Sequence, residues 1–96
     1  MNPQDLEGTW VMKTHGDGYY EHELKLAVDG NARVVGTWRH LSTSGGQSTI
    51  EGQITGDHVE LRRRASGLNQ TFAGRCAPTF AGGTYGNTGV WFMEKQ

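Results

Sequence analysis

Six residues of this chain have types and spacing that could do chemistry: Tyr20, His22, Trp38, His40, Arg63 and Tyr85. Tyr20 and His22 stand two positions apart, as do Trp38 and His40, so each pair shares one face of an extended strand. Imidazole is the side chain whose proton exchange falls near neutral pH, which suits acid–base catalysis and metal ligation. A guanidinium matches a carboxylate or phosphate through paired hydrogen bonds. Tryptophan and tyrosine add flat apolar area with a polar edge. Together these groups suit a small, partly apolar ligand that carries a polar or anionic group.

Other chemistries are less well supplied. His22 and His40 fall on adjacent strands, diagonal to one another. A zinc site takes three or four donors, and no inward Asp, Glu or second Cys accompanies them, so no metal is expected. No Gly-x-Ser-x-Gly elbow and no Cys–His pair at motif spacing is present, so no catalytic residue is assigned. An enzyme using His22 or His40 as acid or base is a second reading of the same residues. No cofactor motif is found.

The elements that must position these residues are strands. Helical spacing is confined to Asn2–Glu7, where Asn2 can cap a single turn opened by Pro3. Period-two alternation follows to the end of the chain. The first strand covers about Thr9–Thr14, with Trp10 and Met12 on one face, and Gly16-Asp17-Gly18 turns it. The second, Tyr19–Val28, alternates Tyr20, His22, Leu24, Leu26 and Val28 against Glu21, Glu23 and Lys25. Asp29-Gly30-Asn31 leads to Ala32–His40, with Val34, Gly36, Trp38 and His40 inward and Arg39 outward.

Ser42–Ser48 reads as a polar loop, followed by a strand carrying Ile50, Gly52 and Ile54. Gly56-Asp57 is a two-residue hairpin turn of the kind that fits strand twist. Beyond it Val59, Leu61 and Arg63 point inward, which sends Arg62 and Arg64 of the arginine run outward. A loop near Ala65–Asn69 precedes a strand with Phe72, Gly74 and Cys76 on one face. Phe80–Tyr85 and Val90–Glu94 complete the set. Eight strands joined by short hairpins predict an all-β fold, an antiparallel meander closed into an up-and-down barrel, as a single domain over residues 1–96.

Register expectations follow from the turns. Placing Val28 opposite Ala32 sets His22 opposite Trp38 and Tyr20 opposite His40. Placing Thr55 opposite His58 sets Ile54 opposite Val59 and Ile50 opposite Arg63. Sorting inward residues by barrel end separates them sharply. Trp10, Leu26, Val28, Val34, Ile54, Val59, Cys76 and Met93 gather at one end, a packed base. Thr14, Tyr20, His22, Trp38, His40, Arg63, Gln70 and Tyr85 gather at the other, a polar and aromatic mouth. The inward glycines Gly36, Gly52 and Gly74 are expected to leave room for large neighbours or a ligand.

Composition narrows the classes. Net charge is −1 with no second basic stripe beside the arginine run, which speaks against nucleic acid. Cys76 is the sole cysteine, so no intrachain disulfide forms. No segment has the apolar length of a membrane span, and Met1–Asp5 lacks the features of a signal peptide, so a cytoplasmic protein without membrane contact is expected.

The triplets Gly8-Thr9-Trp10, Gly36-Thr37-Trp38 and Gly83-Thr84-Tyr85 repeat a Gly-Thr-aromatic pattern. The pattern resembles that of small calycin-type barrels, the group of lipocalins, fatty-acid-binding proteins and avidins. The resemblance implies an eight-stranded barrel for small, largely apolar ligands. The chain is shorter than typical members and lacks paired helices and the polar set of a biotin site, so biotin binding is not implied.

A third reading places function on the outer face. If Trp91 and Met93 point inward, Val90 and Phe92 point out beside Val11 of the first strand. An apolar patch of Val11, Val90 and Phe92 is the kind of surface a two-fold homodimer buries.

Overall fold

The computed structural model describes residues 2–16, 18–41, 47–65 and 68–96, with Leu68 described by its backbone alone. A 3-10 turn (Pro3–Leu6) precedes eight strands: β1 (Gly8–His15), β2 (Tyr19–Val28), β3 (Arg33–His40), β4 (Gln47–Thr55), β5 (His58–Ala65), β6 (Leu68–Cys76), β7 (Phe80–Tyr85) and β8 (Gly89–Lys95). They form a closed antiparallel barrel in sequence order, with β8 pairing back onto β1. Closure leaves no unpaired strand edge, the usual hazard of a small sheet.

Strand parity agrees with the alternation in the sequence. Val34, Trp38, Ile54, Val59 and Leu61 are buried, and Arg39, Glu51, Glu60 and Arg62 are exposed. The outward charges pair across strands, as in Glu23 with Arg39 at 3.0 Å and Glu51 with Arg64 at 3.2 Å. The β4–β5 hairpin has the expected register, Thr55 opposite His58 and Ile50 opposite Arg63. Gly56 takes φ +63° there, a sign of φ that tight hairpin turns require and glycine adopts freely.

The β2–β3 register differs from the sequence expectation by two residues. Val28 faces Val34, Leu24 faces Trp38, and His22 faces His40 directly rather than diagonally. The cause lies in the turn. Asp29 Oδ1 accepts hydrogen bonds from the backbone N–H of Asn31 (2.8 Å) and Arg33 (3.0 Å), and Ala32 adopts φ +62°. The backbone N–H groups of Arg33 and Asn31 also hold the Asp29 carboxyl below its usual pKa. This wrapped turn consumes Ala32 and Arg33 before facing pairs begin. A shift of two leaves every side chain on its expected face.

Two connections are shorter than the sequence suggests. β5 runs through Ala65 and β6 starts at Leu68, which pair with each other, and β4 begins at Gln47. Asp17 of the expected Gly16–Gly18 turn and residues 42–46 of the expected polar loop lie outside the described residues.

The glycine expectation is corrected. A Cβ at Gly36, Gly52, Gly74 or Gly83 would collide with a carbonyl of the adjoining strand, those of Lys25, Glu60, Gly82 and Ala73 respectively. These positions let neighbouring backbones approach where a short barrel must curve sharply. Gly36, Gly52 and Gly74 do not line the mouth cavity.

The base is sealed by the N-terminal turn. Asn2 caps it by accepting from Gln4 N–H at 3.1 Å, and Leu6 is fully buried among the inward residues of the strands. Trp10 Nε1 donates to the Leu6 carbonyl at 2.9 Å, Lys95 Nζ to the Asp5 carbonyl at 2.6 Å, and the Val28 N–H to Glu7 Oε1 at 3.1 Å. The backbone groups of a turn set against an apolar core are thereby partnered. Among the described residues no helix is long and apolar enough to cross a membrane.

Candidate functional site

The mouth opens into a cavity of about 630 Å³, and all six residues singled out from the sequence line it. β2, β3 and β5 deliver Tyr20 and His22, Trp38 and His40, and Arg63; β7 delivers Tyr85. The barrel's pleat aims them inward, and the closed base leaves this end as the one where polar inward groups can be hydrated.

Trp38 is the centre of the arrangement. Its ring centroid lies 4.2 Å from that of His22, nearly parallel, and 4.5 Å from that of His40, nearly perpendicular. The Arg63 guanidinium carbon lies 3.4 Å from the same ring centroid. The two imidazoles are 4.9 Å apart, and Tyr20 stands above them at the rim, 6.5 Å from His22 and 6.4 Å from His40. Trp38 is 1% exposed and belongs to the continuous core. It therefore lines the cavity from its floor and belongs to the core as well. Tyr85 is separate from this cluster. It packs on Phe72 at 5.1 Å, on the wall formed by β6 and β7.

Hydrogen bonding in the cluster is incomplete. His22 Nε2 bonds Thr14 Oγ1 at 2.9 Å. Arg63 donates through Nη1 to Gln70 Oε1 (2.9 Å) and through Nε to Ser48 Oγ (3.4 Å). Among the described residues Arg63 pairs with no carboxylate. His22 Nδ1, Trp38 Nε1 and His40 Nδ1 are buried without a partner, and they are the whole set of such side-chain atoms among the described residues. A buried polar group left unsatisfied costs about 1–3 kcal/mol. All three belong to rings that line the mouth cavity.

The electrostatics have one sign. Burial, then His40, then Arg63 drive the His22 pKa down from 6.5 to about 3. Burial and the Arg63 charge lower that of His40 as well. Both imidazoles are thus neutral at pH 7, and the Arg63 guanidinium, itself lowered by burial, is the charge of the cluster. No group of three potential metal ligands occurs among the described residues.

Beyond the six, buried Ser48 supports Arg63 by accepting from it, although the sequence reading placed Ser48 in a loop. The turn residues Gly86, Asn87 and Thr88 also line the mouth. Period-two reasoning sees inward strand positions and is blind to turns that fold over the opening.

On the outer face, Val90 and Phe92 point outward as expected and are 52% and 42% exposed. Phe92 faces Lys13 directly and Val11 faces Glu94, so Val11 and Phe92 are diagonal neighbours across the β1–β8 pair. The structure adds Phe80, whose exposed ring lies 6.3 Å from that of Phe92.

No protein-family model matches the sequence, and no curated protein matches it. Among solved structures the chain is similar to a redesigned β-barrel. That likeness covers 98% of this chain and 94% of the other, with a TM-score of 0.69 at 17% sequence identity, and it is a likeness of fold.

Proposed function

We propose that this protein binds a small, partly apolar molecule in its mouth cavity, in the manner of calycin-type barrels. One observation carries the reading: the three buried, unpartnered ring nitrogens all belong to rings that line one cavity. Trp38, Tyr20 and the Phe72–Tyr85 pair offer stacking area to an apolar body, and Arg63 with the two histidines holds its polar end. The three Gly-Thr-aromatic triplets support the calycin comparison, since each places an aromatic ring two residues beyond a glycine on the inward side. A free, buried Cys76 fits a reducing compartment, and we place the protein in the cytoplasm on that basis.

The test is native mass spectrometry of gently purified protein, followed by tryptophan-fluorescence titration with a panel of aromatic acids and their neutral analogues. A co-purifying small molecule, or saturable quenching that Arg63→Met weakens, is the expected result. An empty barrel that no panel member quenches would refute ligand binding.

A second reading rests on the outward cluster of Phe80, Val90 and Phe92 next to Val11. We propose that a second copy of the chain covers it. The patch carries both signs at its margin, Lys13 and Glu94, which a two-fold arrangement can cross-pair.

A further inference from the structure

The charge in the mouth cavity is unbalanced in a way that constrains its ligand. Arg63 shares the cavity with His22 and Tyr20 from β2, Trp38 and His40 from β3 and Gln70 from β6, and bonds Ser48 of β4 behind it; no Asp or Glu lines the cavity among the described residues. The undescribed segments 42–46 and 66–67 contain no ionisable residue, and Asp17 is the one undescribed carboxylate. Among the described residues, therefore, no carboxylate neutralises the Arg63 charge.

The hydrogen-bond inventory points the same way. Trp38 Nε1 and the guanidinium only donate. The neutral histidines each offer one N–H and one bare nitrogen, and a bare nitrogen does nothing for an anion's oxygens. His40 is the imidazole nearer the opening: it is half-buried where His22 is 3% exposed, and its Nδ1 has no partner. An anion seated against Arg63 would offset that charge, which after burial is the second cause holding the His40 pKa down, and would set its own negative charge beside the imidazole. A proton on His40 then converts its bare nitrogen into a second donor for the same anion.

We infer, resting on the ligand-binding reading above, that the cavity takes an organic acid with a flat apolar body, and that binding takes up a proton onto His40. Affinity for the acid then rises as pH falls, because proton and anion each favour the other's binding. Burial, then Arg63, hold the free-state pKa of His40 below its ordinary value, so the free protein has His40 deprotonated at neutral pH and a site there for the proton.

The probe is naphthalene-2-sulfonate, which cannot itself be protonated near neutral pH, with naphthalene-2-methanol as its neutral analogue. Calorimetric titrations in buffers of differing ionisation enthalpy count the protons taken up. The sulfonate should bind with net uptake approaching one proton, tightening by up to about tenfold per pH unit lowered. The neutral analogue should bind with a flat pH profile. His40→Gln should lose the uptake and the pH slope, while His15→Gln and Asp17→Asn, at the β1–β2 connection, should keep both. Sulfonate binding without proton uptake, uptake that survives His40→Gln, or a neutral analogue that binds equally well would overturn the inference and leave ligand binding standing. Failure of both naphthalenes to bind would overturn the two together.

Discussion

The Arg63 guanidinium rests on the Trp38 ring, 3.4 Å from its centroid, and pairs with no carboxylate among the described residues. A cation over an indole face gains about 0.5–2 kcal/mol, depending on how dry the site is. That contact, with the bonds to Gln70 and Ser48, is what holds a charge inside a barrel of this size. Burial is the larger cause of the low pKa of both histidines, and the same charge adds to it.

Arg63→Met keeps the bulk and removes the charge. Both histidine pKa values should then rise, with the His40 ring resonances titrating at higher pH in an NMR pH series. Any organic acid should bind about 10- to 100-fold more weakly, the scale of one charged hydrogen bond. Unmoved histidine titration would show that Arg63 does not act on them.

The depressed pKa of His22 links stability to pH. In the unfolded chain a histidine titrates near 6.5, whereas folded His22 stays neutral to about pH 3. The folded state therefore binds fewer protons over that window, and its stability falls as pH drops from 6.5 toward 3. The slope is at most about 1.4 kcal/mol per pH unit, and less to the extent that water screens the cluster. Urea melts between pH 7 and 4 should show the loss, and His22→Gln should flatten it. A profile identical to that of the variant would remove His22 as the cause.

Substitution at the curving glycines should be costly in proportion to the backbone contact. Gly36→Ala and Gly52→Ala set a methyl group against the carbonyls of Lys25 and Glu60, and each should destabilise by about 1–3 kcal/mol or more. Gly30→Ala, where a Cβ meets nothing within 4 Å, should change stability little. Equal thermal midpoints for the Gly36 and Gly30 variants would refute the close approach.

What the sequence made legible was periodicity. Alternation alone placed Arg63 inward between two outward arginines, and it gathered Tyr20, His22, Trp38, His40 and Tyr85 at one end. It could not give the β2–β3 register, because that depends on how many residues the turn consumes, and the Asp29 bonds that lengthen the turn are local geometry. The role of Gly36 was misread for a related reason. A missing side chain looks like space in a one-dimensional pattern, whereas here a neighbouring strand occupies it. Trp38 was assigned to the mouth by its position along the strand, yet the barrel is narrow enough that the floor of the mouth is also the top of the core.

That dual position has a measurable consequence. Trp10→Ala and Trp38→Ala both empty fully buried sites, and each should cost about 3–5 kcal/mol. Only Trp38→Ala should also release Arg63 and the two imidazoles from their shared ring. Trp38→Phe keeps a ring and should retain most of the stability while altering ligand affinity. Denaturant midpoints for the three variants decide the matter: a Trp38→Ala protein nearly as stable as wild type would remove Trp38 from the core.

The last expectation concerns assembly. Val90 and Phe92 leave the barrel on β8, Phe80 joins Phe92 from β7, and Val11 lies across β1, all on one side of the closed sheet. Several other outward positions carry ion pairs, such as Glu23–Arg39 and Arg75–Asp57. An apolar cluster flanked by such charges more often marks a partner surface than a solvated face. A thin core also gains from extra burial, since a chain of this length removes a modest share of its surface from water on folding. A two-fold dimer should therefore form through the patch, with Phe92 packing near the axis and Lys13 available to Glu94 of the other copy. Sedimentation equilibrium at micromolar concentration should give twice the chain mass, and Phe92→Lys should return the monomer with its fold intact by circular dichroism. A wild-type protein that sediments as a monomer at these concentrations, unaltered by Phe92→Lys, would refute the dimer.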